Sequence, residues 1–388
     1  MTAAAIIIGR EALLPALALA VRVVERRTTI PILSNVLIRA GANGDGGRLA
    51  ITGTDLDAEI VVSRKCVIEG GAAEVTLPAN NLHDIVRKLP EGCEVKIAGS
   101  VDAKDDGGMW TVSAGRSRFR LPALPASDFH ELSAGEFACS FDMEAATLKA
   151  MLETVRFAIS SEETRYYLNG IHWHEDVVDG AAALIAVATD GHRLAKATLP
   201  LPDGAGGLPA IIVPRKTVEL VLKMLPEKGT VRLDVSDVKF RISMGGDENG
   251  VTLVSKLIDG TFPDYKRVVP AGNPNRYTLA RAPLADAIDR VLTVSTGKGN
   301  AVKYAFARDG LTVTAHSPDA GSAEDQIEIA GADGDPVEIG FNGKYCLDLL
   351  SAAGGDEVIF ELGDAGAPAL IRPAQGGDTL FVLMPMRI

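Results

Sequence analysis

The sequence predicts an α+β fold made of three copies of one domain, each with two helices laid against antiparallel sheet. Two observations carry this. One pattern occurs three times: TLPANNLHDIVRKLPEGCEVKIAG from Thr76, IVPRKTVELVLKMLPEKGTVRLDVSD from Ile212 and IGFNGKYCLDLLSAAGGDEVIFELGD from Ile339. Each copy reads as a short strand, a helix, a turn rich in Gly or Pro, and a strand. The copies lie so far apart that the repeating unit is a whole domain and not a solenoid turn. The second observation is a further amphipathic helix at the start of each unit, with alternating strand-like runs between the two helices.

Taken in order, AAAIII is a strand, and Leu13, Leu17, Val21 and Val24 give the next stretch a helical stripe. Leu82, Ile85, Val86 and Leu89 form the stripe of the second helix. In the second unit the two stripes are Leu148, Met151, Leu152, Val155 and Val218, Val221, Leu222, Leu225. In the third they are Leu284, Ala287, Ile288, Val291 and a weaker set, Leu347, Leu349 and Leu350. The runs YYLNGIHWHE, AALIAVATD and LTVTAHS read as strands. Connections rich in Pro and Gly at 121–135 and 259–274 place the domains at 1–128, 136–264 and 272–388.

A chain of 388 residues with 47% hydrophobic and 23% charged residues has the composition of a soluble globular protein. Its net charge of −12 repels nucleic acid on average, while leaving room for a local basic face. Cys66, Cys93, Cys139 and Cys346 are scattered, which suits reduced, buried thiols in a cytosolic protein and gives no zinc motif. The first apolar run has no preceding basic residue and is interrupted by Arg10 and Glu11, unlike an export signal. No run of about 20 apolar residues suggests a membrane span.

No catalytic signature is present. There is no G-x-S-x-G and no H-E-x-x-H. STGKGN lacks the earlier glycine of a phosphate loop and reads as a flexible loop around Gly297, Lys298 and Gly299. In HWHED, alternation turns Ile171 and Trp173 inward and leaves His172 and His174 in water, with no third metal ligand. ATDGHRLA sets Asp190, His192 and Arg193 side by side, but no nucleophile can be placed within reach of His192. Asp190-Gly191 is good turn chemistry at the end of a strand. A multidomain enzyme using Asp190 and His192 is therefore the weaker reading, and no catalytic residue, metal or cofactor is expected.

The three units carry RTTIPILSN, GTDLD, SRFRLPALPASDF, RYYLNGI, ATDGHRLA, VPRK, LIDGTFPDYKRV and VLMPMRI, in that order. In these motifs the chain closely resembles the bacterial DNA sliding clamps, the beta subunits of DNA polymerase III. The resemblance implies the DNA clamp fold: six units around a hole, helices inside and sheets outside, closed by two chains head to tail as a homodimeric ring. It implies a non-enzymatic, cytoplasmic processivity factor that encircles duplex DNA. It further implies partners that carry clamp-binding motifs, among them the polymerase catalytic subunit and the clamp loader. A clamp-like paralogue that binds partner peptides without productive loading is the alternative within the family.

By matching motif, Arg27, Arg165, Tyr166, Tyr167, Arg215 and Lys216 are the expected DNA contacts. Cations meet phosphates and aromatic faces stack on bases. Asn80, where better-known relatives carry arginine, and the acidic SSEE of 160–163 lower the positive charge offered to DNA. The resemblance also makes ATDGHRLA part of a groove that captures short peptides. Its lining is Leu168, Thr189, Gly191, His192, Arg193, Leu194, Pro263, Arg267, Val268, Asn342, Tyr345, Val382, Met384, Pro385, Met386 and Arg387. Adaptable methionines and a proline suit an apolar floor, with His192 and the arginines as polar anchors at the rim. For the dimer ends the expectation is Arg118, Phe119 and Leu121 on the first domain, opposite Val291, Leu292, Thr293 and Val294 on the third.

Overall fold

A computed structural model of the chain describes residues 3–26, 28–43, 46–100, 108–132, 135–246, 248–295, 299–375 and 378–387. Among these lie six α-helices: α1 (Arg10–Ala20), α2 (Ala79–Lys88), α3 (Ala145–Val155), α4 (Arg215–Met224), α5 (Arg281–Leu292) and α6 (Gly343–Ala352). They come in pairs, one pair per repeat, with antiparallel strands between.

The compact units do not follow the repeats. One comprises Met1–Ala146, Asp203–Ala205 and Glu219–Leu257; the other comprises Thr147–Pro202, Gly206–Val218 and Ile258–Ile388. Strand pairing gives the reason. The strand Ala58–Glu69 pairs through Ala58–Val62 with Val251–Ser255, which joins half of the middle repeat to the first repeat in one twelve-stranded sheet. Arg193–Lys196 pairs with Leu380–Leu383, which joins the other half to the third repeat in a nine-stranded sheet. Backbone donors at a strand edge need partners. Here the partners come from neighbouring repeats.

In the first unit α1 packs on α2 and on the strands beneath. Leu13, Ala16, Leu17 and Ala20 are its buried residues. The helix ends at Ala20, so Val24, expected on its stripe, lies in the turn that follows, where it is buried. In α2 Leu82 and Val86 are buried, with Leu89 at the C-cap. In α4 the buried residues are Thr217, Val218, Leu220, Val221 and Met224, while Leu222, and Leu225 just past the helix end, are half-buried. In α6 Cys346 completes the stripe that Leu349 and Leu350 suggested.

One device recurs in two repeats. Arg10 donates from Nε to the Val86 carbonyl at 3.1 Å and from Nη2 to the Arg87 carbonyl at 3.0 Å. Arg281 donates from Nε to the Gly355 carbonyl at 2.7 Å and from Nη1 to the Leu350 carbonyl at 3.2 Å. In each case the first residue of one helix puts a cation on carbonyls at or just beyond the C-terminal end of the next, where unpaired acceptors and the dipole favour it.

Cys139 and Cys346 are buried, while Cys66 and Cys93 are partly exposed, contrary to the expectation that all four are buried. Burial pushes the Cys346 thiol up to about 12, which makes it inert packing.

Glu59, buried on the strand Ala58–Glu69, accepts from the Leu132 amide at 2.9 Å. Burial, aided by the nearby Glu131 carboxylate, pushes its carboxyl up to about 7 against that hydrogen bond. The folded state therefore holds a proton here that the unfolded chain releases near its ordinary 4.5. The stabilisation is complete below about pH 4.5 and is lost as the pH rises through about 7. Glu59→Gln keeps an acceptor for Leu132 and removes the titration. Its Tm is expected to match wild type near pH 4.5 and to exceed it by about 2–5 °C at pH 8. Thermal melts at the two pH values check this, and an equal offset at both would exclude Glu59 as the cause.

Candidate functional site

The turn in ATDGHRLA joins the strands Ala181–Thr189 and Arg193–Pro200. Asp190 Oδ1 accepts from the amides of His192 at 2.9 Å and Arg193 at 3.0 Å. Thr189 Oγ1 accepts from the Gly191 amide at 3.1 Å and donates to the Arg193 carbonyl at 2.8 Å. Gly191 sits at φ 89°, a conformation that L side chains rarely adopt. Asp190 Oδ2 takes the Arg193 Nε at 3.0 Å. Both carboxylate oxygens are thus engaged in holding the turn.

Arg193 was expected as a polar anchor at the rim. Its side chain is instead only 11% exposed and bridges Asp190 to Asp348, with Nη1 at 2.6 Å from Asp348 Oδ2. Its guanidinium lies 4.2 Å from the Tyr345 ring centroid and 5.1 Å from that of Phe157. Arg193 is a strut that fixes Tyr345 beside the turn. Asn342, also expected to line the groove, is the N-cap of α6, accepting from the amides of Lys344 and Tyr345. His192 is exposed, and its ring lies 6.3 Å from that of Tyr345.

Beneath the turn Leu168, Leu194 and Val382 belong to one buried cluster that also contains Phe262, Tyr265, Leu370 and Leu380. Leu194 and Val382 are cross-strand partners. Among the other residues expected to line the groove, Val268, 49% exposed, and Met384, 40% exposed, remain in water, as does Pro263. The C-terminal segment is tied at two points: the Met384 amide to the His192 carbonyl and the Met386 amide to the Gly340 carbonyl, both at 2.9 Å. Pro385 and Met386 are half-buried, and Arg387 is exposed. Arg267 is also exposed and pairs with Asp264 at 2.9 Å.

The residues expected to meet DNA stand close by. Arg165, in the 3-10 segment Glu163–Leu168, donates from Nε to Glu162 at 2.6 Å and from Nη2 to the Asp190 carbonyl at 3.1 Å. Tyr166 is 53% exposed, whereas Tyr167 packs against the buried cluster. Their rings meet edge to face at 5.8 Å. The glycine that ends RYYLNG is required sterically: a Cβ on Gly170 would lie 2.3 Å from the Val213 carbonyl oxygen. Arg215 donates to the carbonyls of Ile159 and Ser160, which makes it an anchor of the 159–168 loop. Lys216, beside it on the first turn of α4, is exposed. Arg27 and, from the STGKGN loop, Gly297 and Lys298 lie outside the described residues.

Three family models cover the chain: DNA polymerase III beta subunit N-terminal domain over residues 4–133, central domain over 142–264 and C-terminal domain over 266–387. The chain belongs to this family. A beta sliding clamp of Caulobacter vibrioides is 43% identical over 382 residues, covering 98% of this chain and 99% of the relative. Among solved structures, a Bartonella birtlesii sliding clamp bound to griselimycin matches with TM-score 0.91 and 43% identity, each chain covered fully. A Pseudomonas aeruginosa clamp bound to griselimycin matches with TM-score 0.87 and 36% identity over 99% of this chain and 100% of that one. Beta sliding clamps are non-catalytic processivity factors. That agrees with an Asp190 whose oxygens are both engaged by the turn.

The residues expected at the dimer ends lie on or beside open sheet edges. The strand Ser117–Pro122 closes one end of the twelve-stranded sheet, with Arg118, Phe119 and Arg120 exposed but Leu121 buried. Leu121 is therefore core and not surface. Val291 is likewise buried on the inner face of α5, while Leu292 and Val294 are half-buried and Thr293 is exposed. The open edge in that region is the strand Gly321–Ile327, which packs against α5 and is bound to it by Arg290–Asp325 at 2.6 Å. Sequence reasoning missed this strand because its SAEDQ carries no apolar alternation.

Proposed function

We propose that two copies of this chain close head to tail into a ring around duplex DNA. The groove beside His192 then tethers the polymerase III catalytic subunit, the clamp loader and other proteins that carry a clamp-binding motif. This takes place in the cytoplasm and without a cofactor. The observation that carries the groove is the buried apolar floor of Leu168, Leu194 and Val382, with Val268 and Met384 exposed to water. A floor that continues a packed core is rigid, and the exposed methionine adapts to different side chains. His192 and Arg267 supply polar groups at the rim. A chain of net charge −12 does not grip DNA strongly, but an encircling ring is retained by topology. Long retention on nicked circular DNA after loading, ended by linearisation, is the expected signature. Sequence-specific nanomolar binding to linear duplex would overturn the reading.

Arg165, Tyr166 and Lys216 are the proposed DNA-facing groups, joined by Arg27 on motif alone, with Arg215 and Tyr167 holding the loop behind them. The Glu162 carboxylate already occupies Arg165. Glu162→Gln is therefore expected to strengthen DNA binding severalfold at low salt and to steepen the slope of log K against log salt by about one. Lys216→Glu is expected to act in the opposite sense. Fluorescence anisotropy over a salt series measures both, and unchanged slopes would place these residues away from DNA.

A further inference from the structure

The connection from Ile258 to Val268 supplies Pro263, Arg267 and Val268 to the proposed groove, yet only its short turn Tyr265–Arg267 is regular structure. Alternation along Gly170–Val178 turns Ile171 and Trp173 into the core, as expected. On the other face His172 and His174 are half-buried and packed, not left free in water. The His172 ring lies flat on Phe262, with centroids 4.7 Å apart and planes 9° apart. His174 stacks on His172 at 4.9 Å. The His172 Nδ1–H donates to the Ile211 carbonyl at 3.0 Å, and the His174 Nδ1–H to the Glu175 carbonyl at 3.0 Å. His174 Nε2 is hydrogen-bonded to the Tyr265 hydroxyl at 3.0 Å. Lys266 adds an ion pair to Asp176 at 2.6 Å.

We propose that His172 and His174 are positioning residues for the partner groove. Their stacked rings hold Phe262 and Tyr265, and so fix the turn that presents Arg267 and Val268 before any peptide arrives. The proposal rests on the groove reading given above. Burial, reinforced by the neighbouring His174, pushes His172 down to about 4, so it stays neutral at physiological pH. A connection that is already ordered does not lose further freedom when a ligand binds, and the saving appears as affinity.

The test uses the full chain and a synthetic peptide with one Gln and two or three large apolar residues. In His172→Ala, hydrogen exchange of the Arg267 and Val268 amides is expected to quicken without peptide, while exchange within Gly170–Val178 stays near wild type. Peptide affinity is expected to fall about five- to tenfold, mainly through a less favourable entropy in calorimetry. His172→Phe, which keeps a flat ring on Phe262, is expected to restore both. Tyr265→Phe removes only the hydroxyl partner of His174 and is expected to give a smaller loss of the same kind. Unchanged exchange at 267–268 in His172→Ala and Tyr265→Phe would overturn the brace. So would an affinity loss that His172→Phe does not repair. A wild-type chain that binds no such peptide would sink the groove reading, and the exchange measurements would then decide the brace by themselves.

Discussion

A chain ending at Leu383 is expected to lose at least a hundredfold in affinity for a clamp-binding peptide while remaining folded and dimeric. The cut falls after the last strand, Leu380–Leu383, so the pairing of Leu194 with Val382 survives and with it the buried floor. What goes is the exposed Met384 side chain and the two hydrogen bonds that tie the tail to His192 and Gly340. Burying two large apolar side chains of a ligand supplies roughly 3–6 kcal/mol before ordering is counted, so the polar rim must add to it before binding reaches micromolar strength, about 8 kcal/mol. Removing one wall costs a large part of that, because a half-open groove leaves the ligand's apolar surface in water. Calorimetric titration of one peptide against both chains decides it. Equal affinities would mean that the tail is an ordinary end of a sheet and that the groove lies elsewhere.

The repeat, the helix stripes and the turn at Asp190 were legible because each is a local pattern. Helical periodicity is written in side chains a few positions apart, and Asp-Gly at a strand end fixes its own geometry. What was hidden is non-local. Nothing in GIHWHED shows that Phe262 and Tyr265 cover its second face, so alternation gave the right inward residues and the wrong surroundings for the histidines. Arg193 looked like a rim cation because Asp348 and Phe157, its partners, are remote in sequence. The sheet that runs across the first and second repeats was equally invisible, since the pairing of Ala58–Val62 with Val251–Ser255 has no sequence signature beyond two apolar strands. The residues of the proposed groove could be listed only through the family motifs; their burial, exposure and ion pairs are not written in those motifs.

Charge reversal at an open sheet edge is expected to take the ring apart. Wild type should elute at twice the 40.7 kDa of one chain at micromolar concentration. The strand Ser117–Pro122 presents Arg118, Phe119 and Arg120 from the end of its sheet, and Gly321–Ile327 presents Glu324 from the end of another. An open edge of unpaired donors and acceptors invites a further strand, and opposite charges select which edge it joins. A head-to-tail dimer that sets this basic edge against this acidic edge forms the same joint twice. A chain carrying Arg118→Glu with Arg120→Glu places acid against acid at both joints, and one carrying Glu324→Arg places base against base. Each is expected to be monomeric at micromolar concentration, a weakening of the dimer by about a hundredfold or more. Mixed in equal amounts, the two chains match at both joints: one joint is reversed in both partners and the other is unaltered. Light scattering should therefore show dimer only in the mixture. Dimeric single variants, or a mixture that stays monomeric, would assign the interface to other surfaces.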